Sequence, residues 1–157
     1  MTAYRLVVVT SDDDWRAYHG IREAELFTAR GRLGVYNPNH PHNFLPGHVP
    51  LVLRADAVAV AAMRLDLLAD ARAVIRTMAV VRAEQRKGHG RAFGTAVEEF
   101  AASRGVRLLL VNAARDAEGF YRRWGFVPET WDDPLGMPAH FGDVIVQMAK
   151  PIGGPFA

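Results

Sequence analysis

From Tyr4 to Thr10 the chain reads YRLVVVT, a β-branched run that predicts a strand, and Ser11 with Asp14 three residues on makes a capping-box-like helix start. Trp15, Ile21, Leu26 and Phe27 continue as an imperfect helical stripe to about Ala29, broken by Gly20. The next stretch, Gly31 to Pro50 (GRLGVYNPNHPHNFLPGHVP), is dense in Gly, Pro, Asn and His and predicts a long loop of the kind that is functional or mobile. Three strands are then predicted, Leu51 to Ala55, Val58 to Leu67 and Ala73 to Arg82. The turns between them are too short for a parallel crossover, so an antiparallel meander is expected. Phe93, Ala96, Val97, Phe100 and Ala101 recur at helical spacing, giving a helix from about Gly90 to Arg104 with Gly105 as its stop. Val106 to Ala113 (VRLLLVNA) is almost uniformly apolar, as in a strand buried on both faces, and the intervening helix makes a right-handed parallel crossover natural. Asp116 is expected to cap a short helix, AEGFYRRW, stopped by Gly125; Phe126 and Val127 open another strand, and Asp143 to Lys150 closes the sheet.

This order defines an α/β fold with a mixed sheet of about six to seven strands flanked by helices, in one domain spanning residues 1–157. Half of the residues are apolar and 23% charged, as in ordinary globular chains. No apolar run reaches the roughly 20 residues that span a bilayer, so no membrane partner is expected. The 19 cations against 17 anions leave a net charge of only +2, which does not argue for nucleic acid. The chain has no cysteine, which removes disulfides, thiolate metal sites and a cysteine nucleophile, and makes the cytoplasm the default compartment.

One basic cluster stands out: QRKGHGRAFG, Gln85 to Gly94, between a strand and a helix. A glycine-rich turn entering a helix presents backbone N–H groups at the positive end of the helix dipole, a ready anion site. Gly88 and Gly90 permit φ > 0 and omit the Cβ atoms that would hold a phosphate off; Arg86, Lys87 and Arg91 add charge. Taken alone, the stretch is equally a basic turn. The Rossmann GxGxxG and Walker A patterns both fail, leaving QxxGxG from Gln85, Gly88 and Gly90.

That motif resembles the acyl-CoA pyrophosphate signature of the GNAT N-acetyltransferase superfamily. Ala117, Phe120, Tyr121, Gly125 and Phe126 in AEGFYRRWGF match the family's second signature, AxxxYxxxGF, at the right interval. The resemblance covers about Leu51 to Val127 and implies a β-splay at the acyl-CoA site, with acetyl-CoA as co-substrate; no metal is expected, since the loop histidines do not form a ligand pattern. It implies that the main chain of Met78, Ala79, Val80 and Val81 pairs with the pantetheine arm. The amides from Arg86 through Lys87, Gly88, His89 and Gly90 to Arg91 would hold the pyrophosphate, flanked by Gln85. Tyr121 would be the general acid for the departing thiolate, a role its phenol suits. Phe120 and Trp124 are expected to form that helix's buried stripe, with Tyr121 turned about 100° away. Where many members place an asparagine seven residues before the tyrosine this chain has Ala114, and Asn112 is the nearby candidate for the pantetheine contact.

The general base stays open among Glu23, His19, the loop histidines and His140. His40, His42 and His48 invite a zinc reading, but HPH with an interposed proline is not a ligand pattern, and the loop is better read as covering an acceptor pocket, with Tyr36, Asn37, His40 and Asn43 as contacts. The implied activity is acetyl transfer to an amine of a small molecule or peptide by direct attack in a ternary complex. The alternative is a non-catalytic acyl-CoA-binding sensor, and homodimerisation is left open.

Overall fold

The computed structural model describes residues 2–27, 37–82, 87–136 and 145–153. Strand β1 (Tyr4–Val8) leads to helix α1 (Asp12–Arg22), β2 (His48–Ala55), β3 (Val58–Leu67), β4 (Arg72–Val80), α2 (His89–Ser103), β5 (Leu108–Ala114), α3 (Glu118–Trp124), β6 (Val127–Pro128) and β7 (Ile145–Pro151). The strands form a seven-stranded sheet in the order β1-β2-β3-β4-β5-β7-β6. β2 to β4 are the expected antiparallel meander, β1 pairs antiparallel with β2, β4 and β5 run parallel, and β7 inserts antiparallel between β5 and β6.

Local chemistry explains the boundaries. Ser11 caps α1, its Oγ accepting the Asp14 N–H at 3.1 Å, as its spacing predicted. After Arg22 the helix widens into a π-helical turn, Glu23–Phe27, a distortion that tends to mark functional ground. β2 begins earlier than the apolar pattern indicated and contains Pro50, because the proline lies just past the last β1 pair, Val8 with Leu51. Its missing N–H therefore interrupts no β1 pairing. Asp116 does not cap α3: Ala117 stands at the cap after a single 3₁₀ turn, Arg115–Ala117, with no side-chain hydrogen bond.

Two layers of helix cover the sheet. Phe93, Val97 and Ala101 of α2 are fully buried against Leu53, Met63, Leu65 and Leu109 on one face, each large side chain removing about 1.5–3 kcal/mol of apolar exposure. Tyr18 and Ile21 of α1 pack on Val52, Ala62 and Ala79 on the other. That second face also carries Val74, Leu110, Trp131 and Ala149.

Candidate active site

β4 and β5 run in register from Arg72 with Leu108 to Ile75 with Val111, and there the pairing stops. β4 nevertheless continues to Val80 and β5 to Ala114, so the two strands splay as expected. The cause lies within β4: the register with β3 shifts between Ala62 and Arg64, and Thr77 has φ of 50°. A β-branched residue in the left-handed region is strained and persists only where its surroundings fix it. Here Arg22 fixes it, donating to Thr77 Oγ1 from Nε at 3.0 Å and again from Nη2. Arg22 is itself buried, its guanidinium 4.6 Å over the Tyr18 ring and donating to Tyr18 Oη at 2.6 Å and Asn43 Oδ1 at 3.3 Å.

The splay opens a cleft of about 1130 Å³ on the α2 and α3 side, lined by Met78, Val80, Gly88, Gly90, Arg91 and Tyr121 among others. The side chains of Met78 and Val80 point into it, while Ala79 and Val81 pack toward α1 and the Val81 N–H is given to Val60 O at 2.8 Å. At the mouth, Gly88 is the N-cap of α2 with φ of 85° and no side-chain cap, and the first turn holds no acidic residue. The helix start is therefore open to an anion, with Arg91 beside it and Arg123 on the facing wall.

Gly90 is a different kind of glycine from the one expected. It is helical, and a Cβ there would stand 2.9 Å from Phe120 Cε1; at Gly94 it would stand 2.9 Å from Trp124 Cε2. These two glycines let α2 and α3 approach each other, and only Gly88 makes the turn. The His89 side chain leaves the cleft altogether, its ring Nδ1 2.8 Å from Tyr4 Oη, so only its main chain is placed to serve the site. Lys87 is exposed at the turn; Gln85 and Arg86 lie outside the described residues.

Tyr121 is 6% exposed and joins the core cluster while also lining the cleft. The face of α3 differs from expectation: Tyr121 is the buried aromatic, and Phe120 and Trp124 are half-buried toward α2. The 100° spacing held, but the burial arc is centred on Tyr121 because glycines on α2 receive its neighbours. Burial raises the Tyr121 pKa, which keeps the phenol protonated. Of the carboxylates in the cleft, Glu98 accepts Trp124 Nε1 at 2.5 Å and also pairs with Lys150.

Asn112 is not in the cleft. It lies on the α1 face, where its Nδ2 donates to Asp133 Oδ2 at 2.7 Å and its Oδ1 accepts Gln147 Nε2 at 3.1 Å. The strand stays regular through Asn112, so the residue shares a face with Leu110 rather than with the cleft-side Val111. Its side chain is therefore a structural tie within the sheet.

The same face carries a polar network that the sequence reading missed. Asp66, fully buried, takes Arg64 Nε at 2.6 Å and Arg76 Nε at 3.0 Å, and lies 3.4 Å from His48 Nε2. Arg76 also holds Asp133 with both terminal nitrogens, at 2.5 and 2.6 Å. Arg64 and Asp66 alternating inside the apolar run AMRLDL were a legible signal, since charges on one strand face need partners.

The other expected contacts are dispersed. His48 directs Nδ1 to the His42 carbonyl and Nε2 to Asp66, and His40 Nδ1 accepts the His42 N–H at 3.2 Å, so these histidines organise the turn Pro41–Phe44. Among the described residues no group of three His, Cys, Asp or Glu could hold a metal ion. Glu23 is exposed; His19 stacks on Trp15 at 5.2 Å, its pKa lowered by burial and by Arg22. Asn37 caps the Asn39 N–H at 2.9 Å, and Asn43 is buried against Arg22. Tyr36 and His140 lie outside the described residues. No described helix is long and apolar enough to cross a membrane.

Comparison with known proteins agrees with this mixed sheet whose parallel pair parts beside an open helix start. Residues 46–128 match the family model described as an acetyltransferase (GNAT) domain, and the chain belongs to that family. Among solved structures it is similar to the ribosomal-protein-S18-alanine N-acetyltransferase of Escherichia coli, with 19% identity, a TM-score of 0.71, and coverage of 96% of this chain and 94% of that one. It is similar to a GNAT-family acetyltransferase of Staphylococcus aureus, at 14% identity and a TM-score of 0.73 over 95% of this chain and 99% of that one. A Bacillus subtilis acetyltransferase solved in complex with CoA matches at 14% identity and a TM-score of 0.65, over 97% and 99% of the two chains. No curated protein matches the sequence.

Proposed function

We propose that the protein transfers an acetyl group from acetyl-CoA to an amine of a small molecule or peptide. The observation that carries this is the parting of β4 and β5 after Ile75 and Val111 beside the uncapped start of α2 at Gly88. The residues present suit the co-substrate. An apolar channel between Met78, Val80 and Ala117 accepts a pantetheine arm, and first-turn amides with Arg91 accept the pyrophosphate.

The amine nitrogen attacks the thioester carbonyl carbon; the tetrahedral adduct collapses with cleavage of the C–S bond. The thiolate takes the Tyr121 proton, the proton lost by nitrogen passes to solvent or to a base in the acceptor pocket, and the tyrosinate recovers a proton from solvent. Tyr121 suits the acid role because its phenol lines the cleft where the thioester would lie. The sequence has no cysteine to serve as an acyl-enzyme nucleophile, which supports direct attack.

The test is release of free thiol from acetyl-CoA across a panel of amines. Acceptor-dependent release supports the transferase. Tight acetyl-CoA binding with no acceptor-dependent release across the panel would instead favour a sensor, and preferential binding of ATP or NAD would overturn both.

A further inference from the structure

We propose that Asp133 is a positioning residue for acetyl-CoA, a carboxylate clasp that sets the opening of the splay. The inference rests on the reading of the cleft given above, but its geometry stands independently. The last paired residues of β4 and β5 are Ile75 and Val111. The next residue on each strand, Arg76 and Asn112, turns its side chain to the α1 face, and both donate to the same carboxylate, Asp133. Backbone pairing between the two strands thus ends where side-chain bridging begins.

The bridge is anchored on both sides. Arg76 meets Asp133 as a planar fork, with two contacts that fix orientation as well as distance, and its Nε is held by Asp66 on β3. Asn112 is held in turn by Gln147 on β7. Asp133 also accepts the Leu135 N–H at 2.9 Å, and its side chain is 1% exposed, so every strong acceptor direction is occupied and water does not compete. A buried ion pair is a poor way to gain stability, since apolar packing does as well or better. Its advantage is a defined separation. Here that separation is between two strands whose distance decides whether a pantetheine arm fits between their edges.

Asp133→Asn keeps the shape and removes the charge; Asn112→Ala removes only the β5 arm. Val106→Ala, which opens a cavity ahead of β5 at the end of the sheet opposite the splay, serves as the control for general destabilisation. Acetyl-CoA affinity is measured by calorimetry, kcat and KM by thiol release, and amide hydrogen exchange is read at Met78 to Val80 and Ala113 to Ala114 without ligand. For Asp133→Asn we expect acetyl-CoA Kd and KM to rise roughly tenfold with kcat nearly kept, and exchange at those amides to quicken beyond the change in the control. Asn112→Ala moves both readouts the same way by less. If Asp133→Asn and Asn112→Ala bind acetyl-CoA as wild type does and exchange in proportion to the control, the clasp has no positioning role. If wild type itself fails to bind acetyl-CoA, the reading of the cleft falls, while the exchange data still decide the clasp.

Discussion

The two faces of one sheet are built differently over the same strands. On the α2 and α3 side, β4 and β5 present Ile75, Val111 and Ala113 to a continuous apolar core that opens into the cleft. On the α1 side they present Arg76 and Asn112, joined through Asp133, with Arg64 and Asp66 beside them. The apolar face is non-directional and tolerates the gap that a ligand fills. The polar face is directional, so it fixes the distances that the gap requires. Thr77, strained at the boundary and held by Arg22, belongs to the second group while it shapes the first.

Removing a charge from the polar face should therefore act on the fold. Asp66→Ala leaves Arg64, Arg76 and His48 with a shared anion gone and should lower unfolding free energy by about 3–5 kcal/mol in urea titration. A loss under about 1 kcal/mol would show the network to be solvated and the contrast wrong. On the cleft face, Tyr121→Phe should lower kcat by about 10²- to 10⁴-fold while acetyl-CoA affinity and melting temperature stay close to wild type, because the hydroxyl makes no hydrogen bond among the described residues. Unchanged turnover removes the acid from Tyr121.

The glycines sharpen the comparison within the cleft. Gly90→Ala drives a methyl against Phe120 and should cost about 1–3 kcal/mol of stability, with binding falling alongside. Gly88→Ala has open space but a φ of 85°, and should cost about 1 kcal/mol while weakening acetyl-CoA binding further than that loss explains. Equal ratios of binding to stability loss in the two variants would mean that Gly88 only turns the chain.

The smallest expected effect is a pH dependence. Burial alone would raise the Asp133 carboxyl pKa, but hydrogen bonds from Arg76, Leu135 and Asn112 with the Arg76 charge outweigh it and hold the value below the usual range. A lowered folded-state value means this stabilisation is complete above the unfolded carboxylate value of about 3.9 and is lost as pH falls through the folded one. Urea midpoints should therefore drop as pH falls below about 4, and Asp133→Asn should flatten that slope.

Much of this was legible in the chain. Hydrophobic periodicity placed the meander, α2 and the buried β5, because those segments bury one face or both and their patterns follow directly. QRKGHGRAFG and AEGFYRRWGF gave the family, since both signatures are local. The rest was not: where the Asn112 side chain points and which arc of α3 is buried depend on which element lies opposite, and spacing along one segment carries no information about its neighbour.

By itself, then, the sequence determined the elements, their order and the location of the acyl-CoA signature, all set by interactions within a few residues. Only the tertiary structure decided that Gly90 serves helix packing, that Arg22 sustains the strained Thr77, and that Asp133 closes a bridge from Arg76 to Asn112. Those contacts join residues 30, 55, 57 and 21 positions apart, in that order. They exist because folding brings polar groups into a dry interior where each must find a partner, whatever its distance along the chain.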